Sequence, residues 1–497
     1  MHPKQFAFDK GLGFDMKYGL SDQFTLDATV NPDFGQVEAD PAVLNLTTFE
    51  TFFPEKRAFF VEGTQIFQFP TFGDFAPGLF YSRRIGHGLS SDDIDIPNGG
   101  KIISAPNAVT ILGAAKVSGK TESGFSLGVL DAVTKKEIAV VENASGKRSE
   151  QLLEPQGNFS VLRMKQDLEN NSNVGMMLTN VTKQQKFPGS LAAFDWNIRY
   201  KENNYLFDGF FSSTRTAKDT SQLQNGWEGR IQYSKIGGEH WTWFTGTSSA
   251  SKNFDANDLG FSFRGNDFAV FSGSTYKEEM PADWYRAYYF NAFFFFYNDQ
   301  NGTNLDRQPL VNGRFQFLNY WTLGAKYEMN FGKYDDRETR DNGLYEKPKE
   351  SAIGMSVESD NRGNVLGSFG VEKRWNDKKM KSTGVESGIE FRPLDWMEWN
   401  FRSAFRLTND KEAFVANLDS SGVQNGTTTI FGDRDTREYN FTLRSTITFT
   451  RDFTVQLYSQ LFFAKGHFDN FLVPRHNYRC NRCRRRNCLW PKLHILC

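Results

Sequence analysis

Apolar and polar residues alternate with a period of two along most of this chain, in segments of about ten residues set between polar turns. Phe14, Met16, Tyr18 and Leu20 fall on one side of the first segment, and Asp15, Lys17 and Gly19 on the other. After Ser21-Asp22, Phe24, Leu26, Ala28 and Val30 alternate with Thr25, Asp27 and Thr29. The same pattern returns late in the chain. Tyr439, Phe441, Leu443, Ile447 and Phe449 alternate with Glu438, Asn440, Thr442, Arg444, Thr446 and Thr448. Beyond Arg451-Asp452, Phe453, Val455, Leu457, Leu461 and Phe463 alternate with Thr454, Gln456 and Gln460. Met397, Trp399, Phe401, Phe405 and Leu407 do the same against Glu398, Asn400, Arg402 and Arg406. About ten residues is the length of a tilted strand crossing a bilayer. The connections are of two kinds. Ile236-Gly237-Gly238 and Asn376-Asp377 read as short turns, and 335–351 and 410–436 read as long loops. Short turns at one end and long loops at the other suit a membrane barrel.

These patterns predict an all-β fold: a transmembrane antiparallel β-barrel of roughly 16–20 strands, with a non-alternating N-terminal segment folded in or against it. A soluble all-β protein is the competing reading. A propeller would show a repeat of roughly 40–50 residues, and none is visible. Trp241, Trp243, Trp284, Tyr285, Tyr288 and Tyr289 cluster at strand ends, where an interfacial girdle would place them. A helical membrane span would need roughly 20 consecutive apolar residues. The longest run here is Ala292-Phe-Phe-Phe-Phe-Tyr297.

Composition changes the picture in three ways. Hydrophobic residues are 39% of the 497, but aromatics alone are 15%, with 49 Phe, so the apolar content is not that of a large soluble core. Net charge is −1, which gives no footing for nucleic-acid binding. That total hides seven basic residues between Arg475 and Lys492, with no acid among them. All four cysteines, Cys480, Cys483, Cys488 and Cys497, lie in the same tail, and a Cys-free body suits an exported protein. The opening residues MHPKQFAFDKGLGFDMKYGL carry no apolar leader, so the chain is expected to be a fragment whose export signal lies upstream.

Residues 31–85 break the alternation. They are rich in Pro, acids and Phe, and too long for an ordinary turn. The expected division is a first hairpin in 1–30, a motif segment in 31–85 forming a plug or a periplasmic knot, the main barrel in 86–473 and an aberrant tail in 474–497. The strings LDATVNPDFGQVEADPAVLNLTTFETFFPEKRAFFVEG, LFYSRRIG and FDANDLGFSFRGND resemble the signature of a Gram-negative outer-membrane β-barrel domain of unknown function. The resemblance covers most of residues 10–473. In that family the barrel usually follows a domain like family 9 carbohydrate-binding modules. The resemblance therefore implies a location in the cell outer membrane and a missing upstream carbohydrate-binding-like domain. It implies no activity. The family continues past a stretch like YSQLFFAKGHFDNF into further strands, whereas this chain turns into RHNYRCNRCRRRNCLWPKLHILC, as a reading-frame shift would produce.

Candidate chemistry is sparse. In the tail, Cys480 and Cys483 have the spacing of one zinc half-site, but the later cysteines do not complete it, and His476 and His494 add no recognisable pattern. No metal or cofactor is expected. Gly124-Phe-Ser126-Leu-Gly128 matches a nucleophile elbow, which requires a strand-turn-helix setting, but it sits in an alternating strand. The best cluster is Asp33, Glu38, Asp40, Glu50, Glu55 and Glu62, with Lys56, Arg57, Arg83 and Arg84 nearby. Such residues suit a salt-bridged structural knot, a ligand or ion site, or paired carboxylates for glycoside hydrolysis. The structural knot is the preferred reading, and no catalytic residue is assigned. Trp196, Trp227, Trp241 and Trp243 suit lipid contact or sugar stacking, with lipid preferred.

Three functional readings follow. The first is a non-enzymatic outer-membrane barrel for transport or anchoring, linked to carbohydrate through the missing domain. The second is a membrane-embedded glycan hydrolase using the carboxylates of 31–85. The third is a structural platform in an outer-membrane assembly. The expected partners are outer-membrane lipid and, through the upstream domain, a glycan; nucleic acid is not among them.

Overall fold

The computed structural model describes residues 13–32, 40–71, 78–97, 99–217, 222–340, 342–418, 426 and 428–473. Twenty antiparallel strands of these residues form one sheet. They are β1 (Phe14–Gly19), β2 (Phe24–Val30), β3 (Ile111–Lys120), β4 (Phe125–Thr134), β5 (Gly157–Asp167), β6 (Asn173–Lys183), β7 (Gly189–Tyr200), β8 (Tyr205–Thr216), β9 (Gln224–Lys235) and β10 (Trp241–Ala250). The series continues with β11 (Asp267–Glu278), β12 (Tyr285–Asn298), β13 (Asn304–Phe317), β14 (Thr322–Asn330), β15 (Glu350–Glu358), β16 (Val365–Asn376), β17 (Lys381–Leu394), β18 (Met397–Leu418), β19 (Thr428–Thr450) and β20 (Phe453–Leu472). The all-β antiparallel class expected from the alternation is observed, with the strand count at the top of the expected range. No helix among the described residues is long and apolar enough to cross a membrane.

The chain forms two compact units. One holds residues 1–39, 52–236 and 246–268, and the other holds 40–51, 237–245 and 269–497. In the first, β1 to β9 pair in chain order. In the second, β12 to β20 do the same. This is a meander, so alternate connections fall at opposite ends of the strands. Those after odd-numbered strands, from 20–23 to 451–452, never exceed six residues. Those after even-numbered strands include 31–110, 135–156, 251–266 and 331–349.

In the first unit, one face of β3–β8 is apolar and exposed, carrying Val129, Leu178, Phe194, Phe207 and Phe211. The opposite face is covered by residues from the 31–110 connection. There Phe60, Phe67 and Ile85 pack with Leu130, Phe159 and Val161, while Phe69 and Leu79 pack with Met177, Leu191 and Phe210. Burying each such Phe or Ile contributes about 1.5–3 kcal/mol as an upper estimate. The simple expectation of a water-facing side is therefore modified here, because the covered face mixes apolar residues with buried polar ones such as Lys116, Arg163 and Asp195. Two long connections of the same end also pair with each other. Lys101–Ser104, Glu137–Glu142 and Arg148–Glu154 make a three-stranded sheet around Ile94, Ala139 and Val141.

In the second unit, Phe290, Val311, Leu323, Ile353, Met355, Phe369, Ile389, Phe401, Leu457 and Leu461 line an exposed apolar face. The region 410–436, read above as a loop, is largely strand. β18 and β19 run 22 and 23 residues and stay paired from Met397–Ile447 to Leu418–Thr428. Their outer halves carry apolar residues in a consecutive run, Ala413-Phe414-Val415-Ala416, with register shifts at Asp410/Ala413 and Phe414/Ala416, so the alternation fades while the ladder continues. Aromatics gather at the short-turn end of each unit. Tyr200, Tyr205 and Tyr233 stack with centroids 5.7–6.4 Å apart in the first. Trp284, Tyr288 and Phe315 cluster in the second, as do Trp396, Phe449 and Phe453. Trp196 lies against Phe194 and Phe207, on the face that those residues expose.

Candidate functional site

Residues 53–71 and 78–86 fold as a knot tied around one carboxylate. The chain there is too rich in Pro and Phe to form a strand, and its described residues make two single-turn helices, α1 (Ala58–Val61) and α2 (Thr64–Phe67), and a 3-10 turn at Ser82–Arg84. Their orphan backbone groups need partners, and buried cations supply them. Glu55 Oε1 accepts from Nε of Arg57 at 2.9 Å and from the Lys56 and Arg57 amides at 2.9 Å. Its Oε2 accepts from Arg57 Nη2 and from Ser82 Oγ, each at 2.6 Å. Arg57 then donates to the carbonyls of Ile85 at 2.7 Å and Ser82 at 2.9 Å, and its guanidinium lies 4.3 Å from the centre of the Phe60 ring. Burial pushes the Glu55 carboxyl up, but the Arg57 and Ser82 hydrogen bonds outweigh it and hold the group below the ordinary carboxylate range.

The sheet side contributes a second cation. Lys116 of β3 is 2% exposed. Its Nζ donates to the carbonyl of Phe59 and, at 2.6 Å, to that of Glu62, and lies 3.6 Å from Asp27 of β2. Glu62 itself makes an exposed ion pair with Lys17 of β1 at 2.8 Å. Deeper in the unit, Arg163 of β5 and Asp195 of β7 form a bidentate pair at 2.5 and 3.0 Å, with the guanidinium 5.2 Å from the Phe69 ring centre. Arg230 of β9 bonds Asp208 at 3.1 Å and the Thr71 carbonyl at 2.9 Å.

Two of the strings singled out in the sequence meet here. The Tyr81 amide donates to the Leu259 carbonyl at 2.7 Å, and the Phe261 amide to that of Gly78 at 3.2 Å. Arg84 donates to the Gly260 carbonyl at 3.0 Å and to Asn257 Oδ1 at 3.1 Å. A Cβ on Gly260 would lie 2.8 Å from the Leu79 and Ala256 carbonyl oxygens, so only glycine permits this approach. Arg83 donates to the Pro54 carbonyl at 2.9 Å.

The predicted acidic cluster is thus divided. Glu55, Arg57, Glu62, Arg83 and Arg84 share the first unit, while Asp40 and Glu50 belong to the second. Asp33 and Glu38 lie outside the described residues, as does the 474–497 tail with its cysteines. Lys116, Arg163 and Arg230, which the sequence reading did not single out, are the groups that fasten the segment. Alternation marked their positions only as polar. Ser126 of the GxSxG string lies within β4, which no helix follows, and Gly128 makes room for Phe67, whose ring would lie 2.9 Å from an added Cβ.

A family model described as "Domain of unknown function (DUF5916)" matches residues 2–483. The chain belongs to this family. The DUF5916 description states no activity and no carbohydrate-binding companion. No curated protein matches the chain. Among solved structures, the chain is similar to the crystal structure of OccAB3 from Acinetobacter baumannii, with 10% identity and a TM-score of 0.35 over 71% of this chain and 92% of that one. It is also similar to the ferric citrate transporter FecA in its unliganded form, with 12% identity and a TM-score of 0.37 over 77% of this chain and 72% of that one.

Proposed function

We propose that this DUF5916 chain is an outer-membrane β-barrel that passes small polar solutes, with residues 52–71 and 78–96 as a fixed internal plug along part of its polar side. The observation that carries the reading is the two-faced sheet of the second unit. One face is exposed and apolar, and the other carries Lys326, Glu328, Glu372, Arg374, Glu386, Arg402 and Arg406. Strand residues alone line two recesses of about 310 and 510 Å³ there. Water-filled barrels pair an apolar exterior with a polar lining in this way. Aromatics at the strand ends supply the interfacial belt.

The plug reading rests on how the segment is held. Its carbonyls take their hydrogen bonds from Arg57, Lys116 and Arg230, and its core residues are buried against the sheet. This reading is non-enzymatic. Every lone-pair direction of Glu55 that the structure displays is already occupied, so it offers no general acid or base. Refolded full-length chain in a planar bilayer should give discrete current steps, and liposomes containing it should swell in small polar solutes. Absence of both, from protein shown to be folded and inserted, refutes the conduit.

A further inference from the structure

The polar rows of β14–β18 place charges and glycines at alternating register positions. Lys326, Gly354, Glu372, Gly384 and Arg406 are successive cross-strand partners in one row. Gly324, Ser356, Gly370 and Glu386 follow in the next. Together they line the recess of about 310 Å³. The glycines keep its floor low. A Cβ on Gly324 would lie 2.5 Å from Ser356 Oγ, and one on Gly354 would lie 2.8 Å from Lys326 Cε.

The charges around the recess divide into satisfied and unsatisfied. Lys326 and Glu372 form an ion pair, and Arg374 takes Glu350 at 2.5 Å and Glu328 at 3.6 Å. Arg406 and Glu386 also line the recess; no side-chain hydrogen bond or close ion pair holds either among the described residues, although Arg406 feels the charge of Glu372 and faces Glu438 across the ladder. They sit on neighbouring strands, Glu386 opposite Ala404 and Arg406 opposite Gly384, and do not meet each other. Held apart over a glycine floor, they form two ends of a receptor for a molecule that carries both charges.

We propose that this recess binds a small zwitterion of the free amino-acid class, its carboxylate on Arg406 and its ammonium on Glu386. The inference deepens the conduit reading by naming the solute class, and its test is separable from conduction. Arg presents a planar fork suited to a carboxylate, and Glu accepts from an ammonium. A neutral sugar would leave both charges uncompensated, and an anion or a cation would leave one.

The test is calorimetric titration of detergent-purified full-length chain with L-glutamine, N-acetyl-L-glutamine and L-glutamine amide. Saturable binding of L-glutamine alone is expected, weakened about tenfold by Glu386→Gln and by Arg406→Gln, since each variant removes one charged anchor. Gly354→Leu, which fills the floor, should weaken it as well. The proposal is overturned if L-glutamine does not bind, if either blocked derivative binds equally well, or if both charge variants leave the Kd unchanged. Retained glutamine binding without bilayer current refutes the conduit and leaves this site standing.

Discussion

Lys116→Met removes one cation from under residues 57–68 while keeping most of its volume. Three groups lose a partner: the carbonyls of Phe59 and Glu62, and the buried carboxylate of Asp27. An unsatisfied buried polar group costs about 1–3 kcal/mol. Breaking a buried ion pair from one side costs about 3–5 kcal/mol. These effects overlap and do not add, so the working figure is the latter, about 3–5 kcal/mol. The loss falls on the docking of residues 57–68. The backbone pairing of Asp27 with Lys116 does not depend on the side chain. Each 1.4 kcal/mol is a factor of about ten, so local opening should become at least about 100-fold more frequent. Hydrogen exchange read by mass spectrometry reports it directly. The amides of Phe60, Val61, Glu62, Ile66 and Gln68 all bond within this stretch and should exchange faster, while those of 111–120 serve as the internal control. Adding Asp27→Asn should recover part of the loss by removing the stranded charge. Exchange in 57–68 within threefold of the parent would refute the clamp.

Three further outcomes are expected. Arg163→Met alone should destabilise the first unit by about 3–5 kcal/mol, and Arg163→Met with Asp195→Leu by much less, because the pair is buried and bidentate; urea midpoints in detergent decide, and a single-variant cost below about 1 kcal/mol refutes this. Glu55, held below its ordinary value of 4.5 against the pull of burial, contributes stability that is complete above that value and lost only as pH falls through the lower folded one. Plug peptides should therefore stay protected from exchange at pH 5 and lose protection in stronger acid, and Glu55→Gln should remove that dependence. Asp258 is shifted the other way, above 3.8, by burial first and Asp255 second. Its contribution is full below the unfolded value and lost as pH rises through the folded one, so Asp258→Asn should raise the unfolding midpoint at pH 7 and leave it unchanged near pH 3.

Much of this fold was legible because a strand's side-chain period is two. Phe14 to Val30 and Phe453 to Phe463 announce their strands, and the connection lengths announce two unlike ends. Legibility failed where apolar and polar positions stop alternating. Asp410–Leu418 and Thr428–Thr436 are hydrogen-bonded ladder, yet Phe431 there stacks on Tyr345 and Asn417 bonds the Thr339 and Arg340 carbonyls, so the stretch reads as loop. The motif segment was visible as a break in rhythm, and Glu55 and Arg57 stood out within it as candidates. What could not be read was their partner across the fold. Lys116 stands 54 residues from Glu62 in the chain, and in AAKVSG it is only one polar position among several. A backbone carbonyl as acceptor leaves no trace in the sequence of the residue that provides it. The acids looked like one cluster because they are close in sequence, and the fold separates Asp40 and Glu50 from Glu55 and Glu62.

The position of the motif segment between β2 and β3 also bears on how the chain reaches its native state. Val30 pairs with Gly113, and the Asn31 amide bonds the Leu112 carbonyl, so these strands can zip only after the ends of the intervening 31–110 stretch have met. Closing a flexible loop of that length costs about 4 kcal/mol in chain entropy, against about 1 kcal/mol for a four-residue turn. A segment that has already collapsed around Glu55 and Arg57 shortens the effective loop and lowers that barrier. The knot is then an assembly device: the slowest seam in the first unit waits on the order in which Phe60, Phe67 and Ile85 find the strands that will bury them.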